Sequence, residues 1–464
     1  MKNAHHLKFK MHILSKSTYI KGMQCEKALY MTKKHPYLRD KLSIEKRAKF
    51  KRGVDVGLLA QECFPGGVNM SPNSPSQFPK KVRETMENLN DTAVNVMYEA
   101  VFQYNDTLIM VDIMVREGDR WKAIEVKSSL RLSVTYYNDA ALQYYVLHGC
   151  GVPLSDMQLM YLNAGYVKSG PLDLNELFMT VSVMDYAQQH EAGIANNVER
   201  LKDVVALPHS PLVNIGTHCH EPYACDFIGH CWKMVPPNSF LYTTALSDEE
   251  LFGRYFGGCG TNVKMLATID PDSAEAHQIE ALEAGTYFVD FKTLYAQAPL
   301  PKPRHIAYLN LLLNRPAVPE IDGTRPYQEM MLAFALTGDL EPDGHTLWDC
   351  FEDHGRWQEG IPILEQRMAN YDIVVTFTPG QNLGYKVFNL CEVLQNAQMF
   401  HPALKSGFNL QNVAKALFHD SNLFEHSRII VEANALELTG YQQAREDLLT
   451  ENEVIRNIYQ HFFK

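Results

Sequence analysis

The sequence predicts an α/β protein of two domains, and three observations lead to this class. Between residues 96 and 163, three strand-like runs are followed by a helical run and a further strand, an order typical of an α/β sheet. Buried-type strands recur at 286–291 and 371–377, and a helical tail follows. With 464 residues, 46% hydrophobic and 21% charged, the chain is long enough for two or three globular domains.

Periodicity and turn residues predict the elements of the first half in order. The pattern of residues 12–62 predicts two helical stretches. The second stretch begins near Ile44 and ends at the turn Pro65-Gly66-Gly67. A proline-containing loop at 71–80 and a helix to about Asn90 come next. The expected sheet then comprises a meander of strands at 96–104, 108–115 and 121–129, a helix at 136–148 and a strand at 157–163.

A segment rich in Pro, His and Cys, residues 207–240, lacks periodicity and closes this half of the chain. We therefore expect a first domain at 1–240, a helical linker at 241–280 and a second domain at 281–464. No run approaches the roughly 18 apolar residues of a membrane span, and the apolar stretch before Lys16 is too short for a signal peptide. These features predict a cytoplasmic protein with no membrane partner.

The charge of the chain is unevenly distributed. The net charge is −11, yet residues 1–53 hold 15 Lys and Arg against three acids, a local charge of +12, so the remainder sums to −23. Because phosphate binding needs a local basic face and not a basic total, the N-terminal segment is a candidate nucleic-acid surface. The alternative is an ordinary solvated face of lysine-rich helices.

Two neighbouring strands carry a pattern of carboxylates and lysine. Asp112 lies on the middle strand of the meander, and Glu125 and Lys127 share one face of the next, because side chains alternate along a strand. A hairpin places Asp112 opposite that pair. Two carboxylates suit Mg²⁺ or Mn²⁺, and a lysine beside them offsets negative charge, so the pattern favours phosphodiester hydrolysis. The alternative is a solvated acid-x-Lys edge.

These segments resemble the PD-(D/E)XK nuclease core, in the form shared by RecB-type nucleases and the iron–sulfur nucleases of CRISPR adaptation. The resemblance implies a restriction-endonuclease-like fold in which Asp112, Glu125 and the carbonyl of Val126 bind the metal ion and Lys127 assists. Glu99 matches the upstream acid that often completes that site.

The resemblance extends to the following helix. Gln143-Tyr144-Tyr145 is similar to the glutamine–tyrosine motif of the family, which implies a catalytic role for Gln143 and contact with the substrate for Tyr145. The sequence departs from the family at Gly57, where many relatives carry a histidine. That difference leaves the number of metal ions open.

Three of the nine cysteines are clustered. Cys219, Cys225 and Cys231 are separated by five residues each time, and Cys25 in the basic segment is the candidate for a fourth ligand. Clustered thiolates in a chain without an export signal indicate a soft metal, either an iron–sulfur cluster or Zn²⁺. His220 or His230 would be a further ligand in the zinc alternative.

One early cysteine and three clustered ones after the nuclease core resemble the four-cysteine staple of the iron–sulfur nucleases. The resemblance implies a 4Fe–4S cluster held by Cys25, Cys219, Cys225 and Cys231. Its implied role is structural, since it ties the basic N-terminal helices to the end of the domain.

The second domain resembles a degenerate RNase H-like exonuclease of the DEDD type. Asp290 in the run TYFVDF matches the first acid of an Asp-x-Glu motif, but Lys292 stands where the glutamate belongs and cannot bind a hard cation. The segment 323–328 and the run HPALKSGFNLQNVAKALF are similar to a domain of unknown function fused to such nucleases. An acid expected after the strand at 371–377 is absent from TPGQNLGY, residues 378–385.

The sequence therefore predicts a metal-dependent deoxyribonuclease, and single-stranded DNA or free DNA ends as its partner. A clasped domain threads a single strand more easily than it admits a duplex, which favours an exonuclease. The alternative is a non-catalytic nucleic-acid-binding or scaffold protein stabilised by zinc or an iron–sulfur cluster. A hydrolase that uses the second domain is disfavoured by Lys292. The sequence names no protein partner.

Overall fold

Two mixed β-sheets with helices around them form the core of the protein, which confirms the predicted α/β class. The computed structural model describes residues 12–42, 44–299, 302–377, 387–418 and 440–464. One compact unit runs to Trp232 and includes Ala317–Tyr327, and the other comprises Lys233–Pro316 and Gln328–Lys464. Among the helices of these described ranges, none is long and apolar enough to span a lipid bilayer.

The first unit contains a seven-stranded sheet and eight α-helices within its described residues. The strands are β1 (Leu14–Ser15), β2 (Val68–Asn69), β3 (Val96–Tyr104), β4 (Thr107–Glu117), β5 (Arg120–Lys127), β6 (Leu154–Leu162) and β7 (Phe178–Ser182). The helices are α1 (Lys16–Gln24), α2 (Glu26–Lys34), α3 (Ile44–Gln61), α4 (Phe78–Asn90), α5 (Val134–Gly149), α6 (Leu174–Leu177), α7 (Met184–Ala206) and α8 (Ile228–Cys231).

The sheet has the order β2-β3-β4-β5-β6-β7, and β1 pairs with β4. Strands β3, β4 and β5 form the predicted antiparallel meander, and β6 then joins β5 in parallel after the helical crossover α5. Residues alternate between the two faces of the sheet. Ala123 of β5 belongs to the core that includes α5 and α7, whereas Ile124 packs with Val56 and Ala60 of α3.

The segment Ala317–Tyr327 folds with the first unit through backbone bonds. The N–H of Lys168 donates to the Thr324 carbonyl at 3.0 Å, and the N–H of Gly323 donates to the Lys168 carbonyl at 2.8 Å. The Tyr327 hydroxyl donates to the carbonyl of Ser128, directly after β5. The chain therefore returns from the later sequence to support the end of the strand that carries Glu125.

The second unit has a five-stranded sheet in the order β10-β9-β8-β11-β12. Its strands are β8 (Ile306–Asn314), β9 (Met330–Gly338), β10 (His345–Asp349), β11 (Ile373–Thr376) and β12 (Val387–Asn389). Its α-helices within the described ranges are α9 (Asp248–Phe256), α10 (Asn262–Leu266), α11 (Ala274–Ala284), α12 (Phe291–Ala296), α13 (Gly360–Met368), α14 (Leu390–Asn396), α15 (Leu410–Phe418) and α16 (Tyr441–Phe463). The first three lie in the stretch predicted as a helical linker.

The second half confirms one predicted strand and corrects another. The run at 371–377 contains β11, a buried parallel strand beside β8. The run at 286–291 was expected to be a strand, and this is wrong: only an isolated bridge joins Phe288 to Phe400. Asp290 is instead the N-cap of α12, because its carboxylate accepts the backbone N–H groups of Lys292 and Thr293. The segment 378–385 lies outside the described residues.

Candidate active site and cysteine pocket

Three carboxylates lie side by side on three adjacent strands. The pairs Tyr98↔Ile113 and Ala100↔Val111 bracket Glu99 opposite Asp112. On the other side of β4, the pair Ile113↔Ile124 brings Asp112 next to Glu125. Since directly opposed residues of an antiparallel pair share a face, the sheet brings the three acids into one row, as the sequence predicts for Asp112 and Glu125.

Glu99 interrupts the regular ladder of β3. Its φ is +51°, the left-handed region that a non-glycine residue seldom adopts within a strand. Such a conformation costs on the order of 1–3 kcal/mol and persists where the surrounding structure holds it. The distorted backbone belongs to Glu99, which lies opposite Asp112, so the strained residue is one of the three carboxylate residues.

Glu125 is the centre of the polar contacts. Its side chain is only 3% exposed, and its Oε1 accepts from Lys16 Nζ at 2.6 Å and from Lys127 Nζ at 2.8 Å. Its Oε2 accepts from Gln143 Nε2 at 2.5 Å. Burial alone raises the pKa of Glu125, but the charges of Lys127 and Lys16 outweigh burial and lower this pKa to about 2. Glu125 is therefore fully ionised at neutral pH.

Asp112 has the opposite electrostatic character. Its Oδ2 accepts from the backbone N–H of Val126 at 2.6 Å, which fixes the carboxyl against β5. Burial and the neighbouring charge of Glu125 raise the pKa of Asp112 to about 8. Burial and Glu125 also raise the pKa of Glu99. Asp112 therefore retains at neutral pH a proton that a bound cation would displace.

Helix α5 closes the site from one face of the sheet. Lys127 Nζ donates to Asp139 Oδ2 at 2.7 Å and lies 4.8 Å from the centre of the Tyr136 ring. Asp139 and Gln143 are four residues apart, so both project from the same side of the helix toward β5. Lys127 is held between two carboxylates, and its raised pKa keeps it protonated.

Sequence reasoning missed Lys16, Asp139 and Tyr136. The i,i+4 spacing of Asp139 and Gln143 could have revealed Asp139, because Gln143 is itself a predicted site residue. Lys16 gave no local signal, since 109 residues separate it from Glu125 and only the docking of α1 brings them together.

Gln143 joins the predicted site and Tyr145 does not. Gln143 is fully buried beside Glu125. The Tyr145 hydroxyl accepts from Asn105 Nδ2 at 2.8 Å, and its ring packs edge-on against Tyr104. Two positions along a helix turn the side chain by about 200°, which explains why these neighbours point apart.

The donor set fits a hard divalent cation. Four carboxylates (Glu99, Asp112, Glu125 and Asp139) meet two ammonium groups (Lys16 and Lys127), an excess of two negative charges when all are ionised. Gln143 Oε1 and Asp139 Oδ1 are buried without a hydrogen-bond partner. Within the described ranges, no three His, Cys, Asp or Glu side chains already form a group able to hold a metal ion. Lysine and glutamine donors occupy both oxygens of Glu125.

The four predicted cysteines line one pocket. Cys25 is the N-cap of α2, and Cys219, Cys225 and Cys231 reach the same cavity from the segment 217–232. The lining includes His218 and not the two histidines of the zinc alternative, His220 and His230. Burial raises the pKa of Cys225 to about 11, and it also raises the pKa values of Cys25 and Cys231.

Polar contacts dock the segment 217–232 onto α1 and α2. Lys21 pairs with Asp226, and Gln24 Nε2 donates to the carbonyl of His218 at 2.8 Å. Asp40 Oδ2 accepts the backbone N–H of Gly229 at 3.0 Å. The four thiols therefore lie where the basic N-terminal helices meet the end of the unit, and their soft sulfur donors fit an iron–sulfur cluster or Zn²⁺.

Asp290 in the second unit has no comparable surroundings. Its carboxylate accepts from the Thr293 hydroxyl and from backbone N–H groups of α12, which lower its pKa. These contacts are those of a helix cap.

Comparison with known proteins yields no relative from which a role can be transferred. A scan against models of protein families finds none that matches the chain, and a search of curated proteins finds no match.

Proposed function

We propose that the protein is a metal-dependent deoxyribonuclease whose first unit has a PD-(D/E)XK, restriction-endonuclease-like core. The observation that carries this proposal is the row Glu99, Asp112 and Glu125 on three adjacent strands, with Lys127 held beside it. The oxygen donors of this row and the unpaired buried oxygens of Asp139 and Gln143 support a divalent cation there.

In this proposal Asp112, Glu125, the Val126 carbonyl and Glu99 hold Mg²⁺ or Mn²⁺. The ion supplies positive charge that polarises the phosphodiester and activates water. Lys127 keeps its proton and stabilises the negative charge that develops on the phosphate, because Asp139 and Glu125 fix its ammonium. Gln143 keeps the Glu125 carboxylate oriented through its hydrogen bond to Oε2.

DNA is the proposed partner, bound as a single strand or at free ends. Arg47, Lys49 and Lys51 of α3 are exposed, and Lys49 also lies 5.5 Å from the centre of the Tyr223 ring. Exposed cations beside an aromatic side chain suit a single strand, whose phosphates and bases are both accessible. The four cysteines support a 4Fe–4S cluster that keeps this basic face attached to the unit, with Zn²⁺ as the alternative.

For the second unit we propose an RNase H-like fold without catalysis. The strand order β10-β9-β8-β11-β12 places the first strand of this sheet in its centre, with the second and third on one side and the fourth and fifth on the other, and this order supports the proposal. The N-cap role of Asp290 and the lysine at position 292 argue against metal chemistry there. No disulfide joins any of the nine cysteines, and we propose a reducing compartment such as the cytoplasm.

Cleavage of a panel of DNAs tests the proposed function. Anaerobically purified protein in Mn²⁺ or Mg²⁺ should degrade end-labelled linear single strands faster than linear duplex and should spare covalently closed duplex. Lys127→Met should lose about 10²–10³-fold in rate, the loss typical of removing one donor to a developing anion. Lys122→Met is the matched control, because Lys122 lies on the same strand and, among the residues that the structure describes, forms an ion pair with Glu117 alone. Equal activity on closed duplex would contradict the preference for ends.

Cation binding should strengthen as the pH rises toward 8. Below its pKa of about 8 Asp112 holds a proton and cannot bind a cation, whereas above it the carboxylate is free to do so. Displacement of one proton gives up to about tenfold tighter binding per pH unit below that pKa. Titration with Mn²⁺ at pH 6.5 and pH 8.5, followed by electron paramagnetic resonance, measures the change. An affinity that does not vary with pH would show that Asp112 is no ligand.

A non-catalytic nucleic-acid-binding protein is the second candidate. It is favoured by one observation: Lys16, Lys127 and Gln143 already satisfy both oxygens of Glu125. If DNA binds with the usual salt dependence but no metal ion gives cleavage, this candidate takes precedence.

A further inference from the structure

We propose that Lys16 is an internal counterion that holds the cation position on Glu125 until a divalent cation arrives, and that it then binds a phosphate of the DNA strand. This inference rests on the proposed nuclease function and adds a residue to it. Its starting point is the 2.6 Å contact between Lys16 Nζ and Glu125 Oε1.

The backbone next to Lys16 is anchored to the start of β4. Strand β1 pairs with β4 at Leu14↔Thr107, beyond the last pair that β5 makes with β4. The backbone N–H of Leu14 donates to the Asp106 carbonyl at 3.0 Å, and Leu14 is fully buried. Ser15 then caps α1, so Lys16 begins the helix directly beside the carboxylate row.

The two lysines on Glu125 are not equivalent. Lys127 is bonded to both Glu125 and Asp139, and its side chain is 13% exposed. Lys16 forms an ion pair with Glu125 alone among the described residues, and its side chain is 26% exposed. Moving Lys16 therefore breaks one direct ion pair, whereas moving Lys127 breaks two. Lys16 is the group that an incoming cation displaces.

The displaced ammonium has a short path to the substrate. The side chain of Lys16 is 26% exposed and that of Glu125 is 3% exposed, so the lysine is the more solvent-accessible partner of this ion pair. In this proposal a DNA strand approaches the carboxylate row from solvent. Once the divalent cation occupies Oε1 of Glu125, the displaced Lys16 ammonium binds a phosphate of that strand. The lysine stem is flexible, and the ammonium exchanges one anionic oxygen for another.

Two affinities measured on Lys16→Met test the inference. Without DNA, the variant should bind Mn²⁺ about tenfold more tightly than wild type, because no ammonium competes for Oε1. In Ca²⁺, with gels showing that the strand stays intact, the variant should bind single-stranded DNA more weakly. The slope of log affinity against log salt should fall by about 0.7, the value for one phosphate contact. Lys16→Arg should keep both affinities near wild type.

Lys122→Met is the matched control, since its side chain is 24% exposed and it also pairs with a single carboxylate. Lys16→Gln serves if the methionine variant does not fold, as judged by circular dichroism. Suppose that wild type and Lys122→Met bind Mn²⁺ and cleave DNA, but that neither Lys16→Met nor Lys16→Gln binds Mn²⁺ more tightly than wild type. The inference about Lys16 is then overturned, and the nuclease proposal stands. An unchanged salt slope also overturns it. If wild type neither binds Mn²⁺ nor cleaves, the proposed function itself fails.

Discussion

Replacing Glu125 with glutamine should abolish cleavage and destabilise the protein by about 2–4 kcal/mol. Removing one member of a buried ion pair typically costs about 3–5 kcal/mol, because the other charge is left uncompensated. Here Lys127 keeps Asp139, and Lys16 is partly exposed, so the cost is lower. The pKa of Glu125 is lowered to about 2, so its contribution to stability is complete above pH 4.5 and is lost as the pH falls toward 2.

Asp112→Asn should abolish cleavage without this cost. The pKa of Asp112 is raised to about 8, so above pH 4 the fold carries the cost of a buried carboxyl that is ionised in the unfolded chain. An asparagine oxygen still accepts the N–H of Val126, and it removes the titrating group. The melting temperature at pH 7 should stay unchanged or rise by a few degrees, since about 1 kcal/mol corresponds to about 2–4 °C.

Thermal and denaturant unfolding of the two variants at pH 7 and pH 3 measures this contrast. The stability difference between wild type and Glu125→Gln should shrink at pH 3, because the unfolded chain then binds a proton at Glu125 that the folded protein does not. If both variants lose the same stability at pH 7, the different electrostatic roles of Asp112 and Glu125 are wrong.

Cys219→Ser should destabilise the N-terminal helices α1 and α2. Loss of one thiolate removes a ligand from the pocket, and metal binding at a structural site contributes directly to folding free energy. We expect loss of the visible absorption of the cluster, rapid proteolysis after residues of α1 or α2, and a several-degree fall in melting temperature. Absorption spectroscopy, iron and zinc analysis and limited proteolysis measure these changes.

Cys63→Ser is the matched control, because Cys63 is a partly buried thiol of the same unit and does not line the pocket. Its spectrum and protease resistance should equal those of wild type. If the wild-type protein is colourless and contains one zinc ion, the metal held by these cysteines is Zn²⁺ and not an iron–sulfur cluster. If Cys219→Ser keeps its metal content and protease resistance, the pocket is not a staple.

The meander and its acids were predictable because the relevant signals are local. Alternation along β5 fixed the shared face of Glu125 and Lys127, and the tight turn after Glu117 fixed the hairpin that aligns Asp112 with them. The five-residue spacing of Cys219, Cys225 and Cys231 is also a local signal, whereas Cys25 lies far from them in the sequence and meets them only in the folded unit. The residues that complete the site could not be predicted from local signals, because Lys16 reaches Glu125 only when β1 pairs with the start of β4.

The incorrect strand at 286–291 shows how a local signal fails. Alternating Tyr287 and Val289 are typical of a strand, but the Asp290 side chain satisfies the N–H groups of Lys292 and Thr293 and starts a helix there. The sheet takes its central strand from 306–314 instead, a longer and almost wholly buried run. Capping by one side chain thus outweighed the alternation of its neighbours.

The rate of Mn²⁺-dependent cleavage of a labelled single strand, compared between wild type and Asp112→Asn under single-turnover conditions, tests the central claim most directly. We predict cleavage by wild type and a loss of about a thousandfold or more in the variant, several kcal/mol of transition-state stabilisation, with folding intact. Equal rates for the two proteins would show that the carboxylate row is not the active site. Absence of cleavage by wild type with every metal ion would contradict the nuclease function.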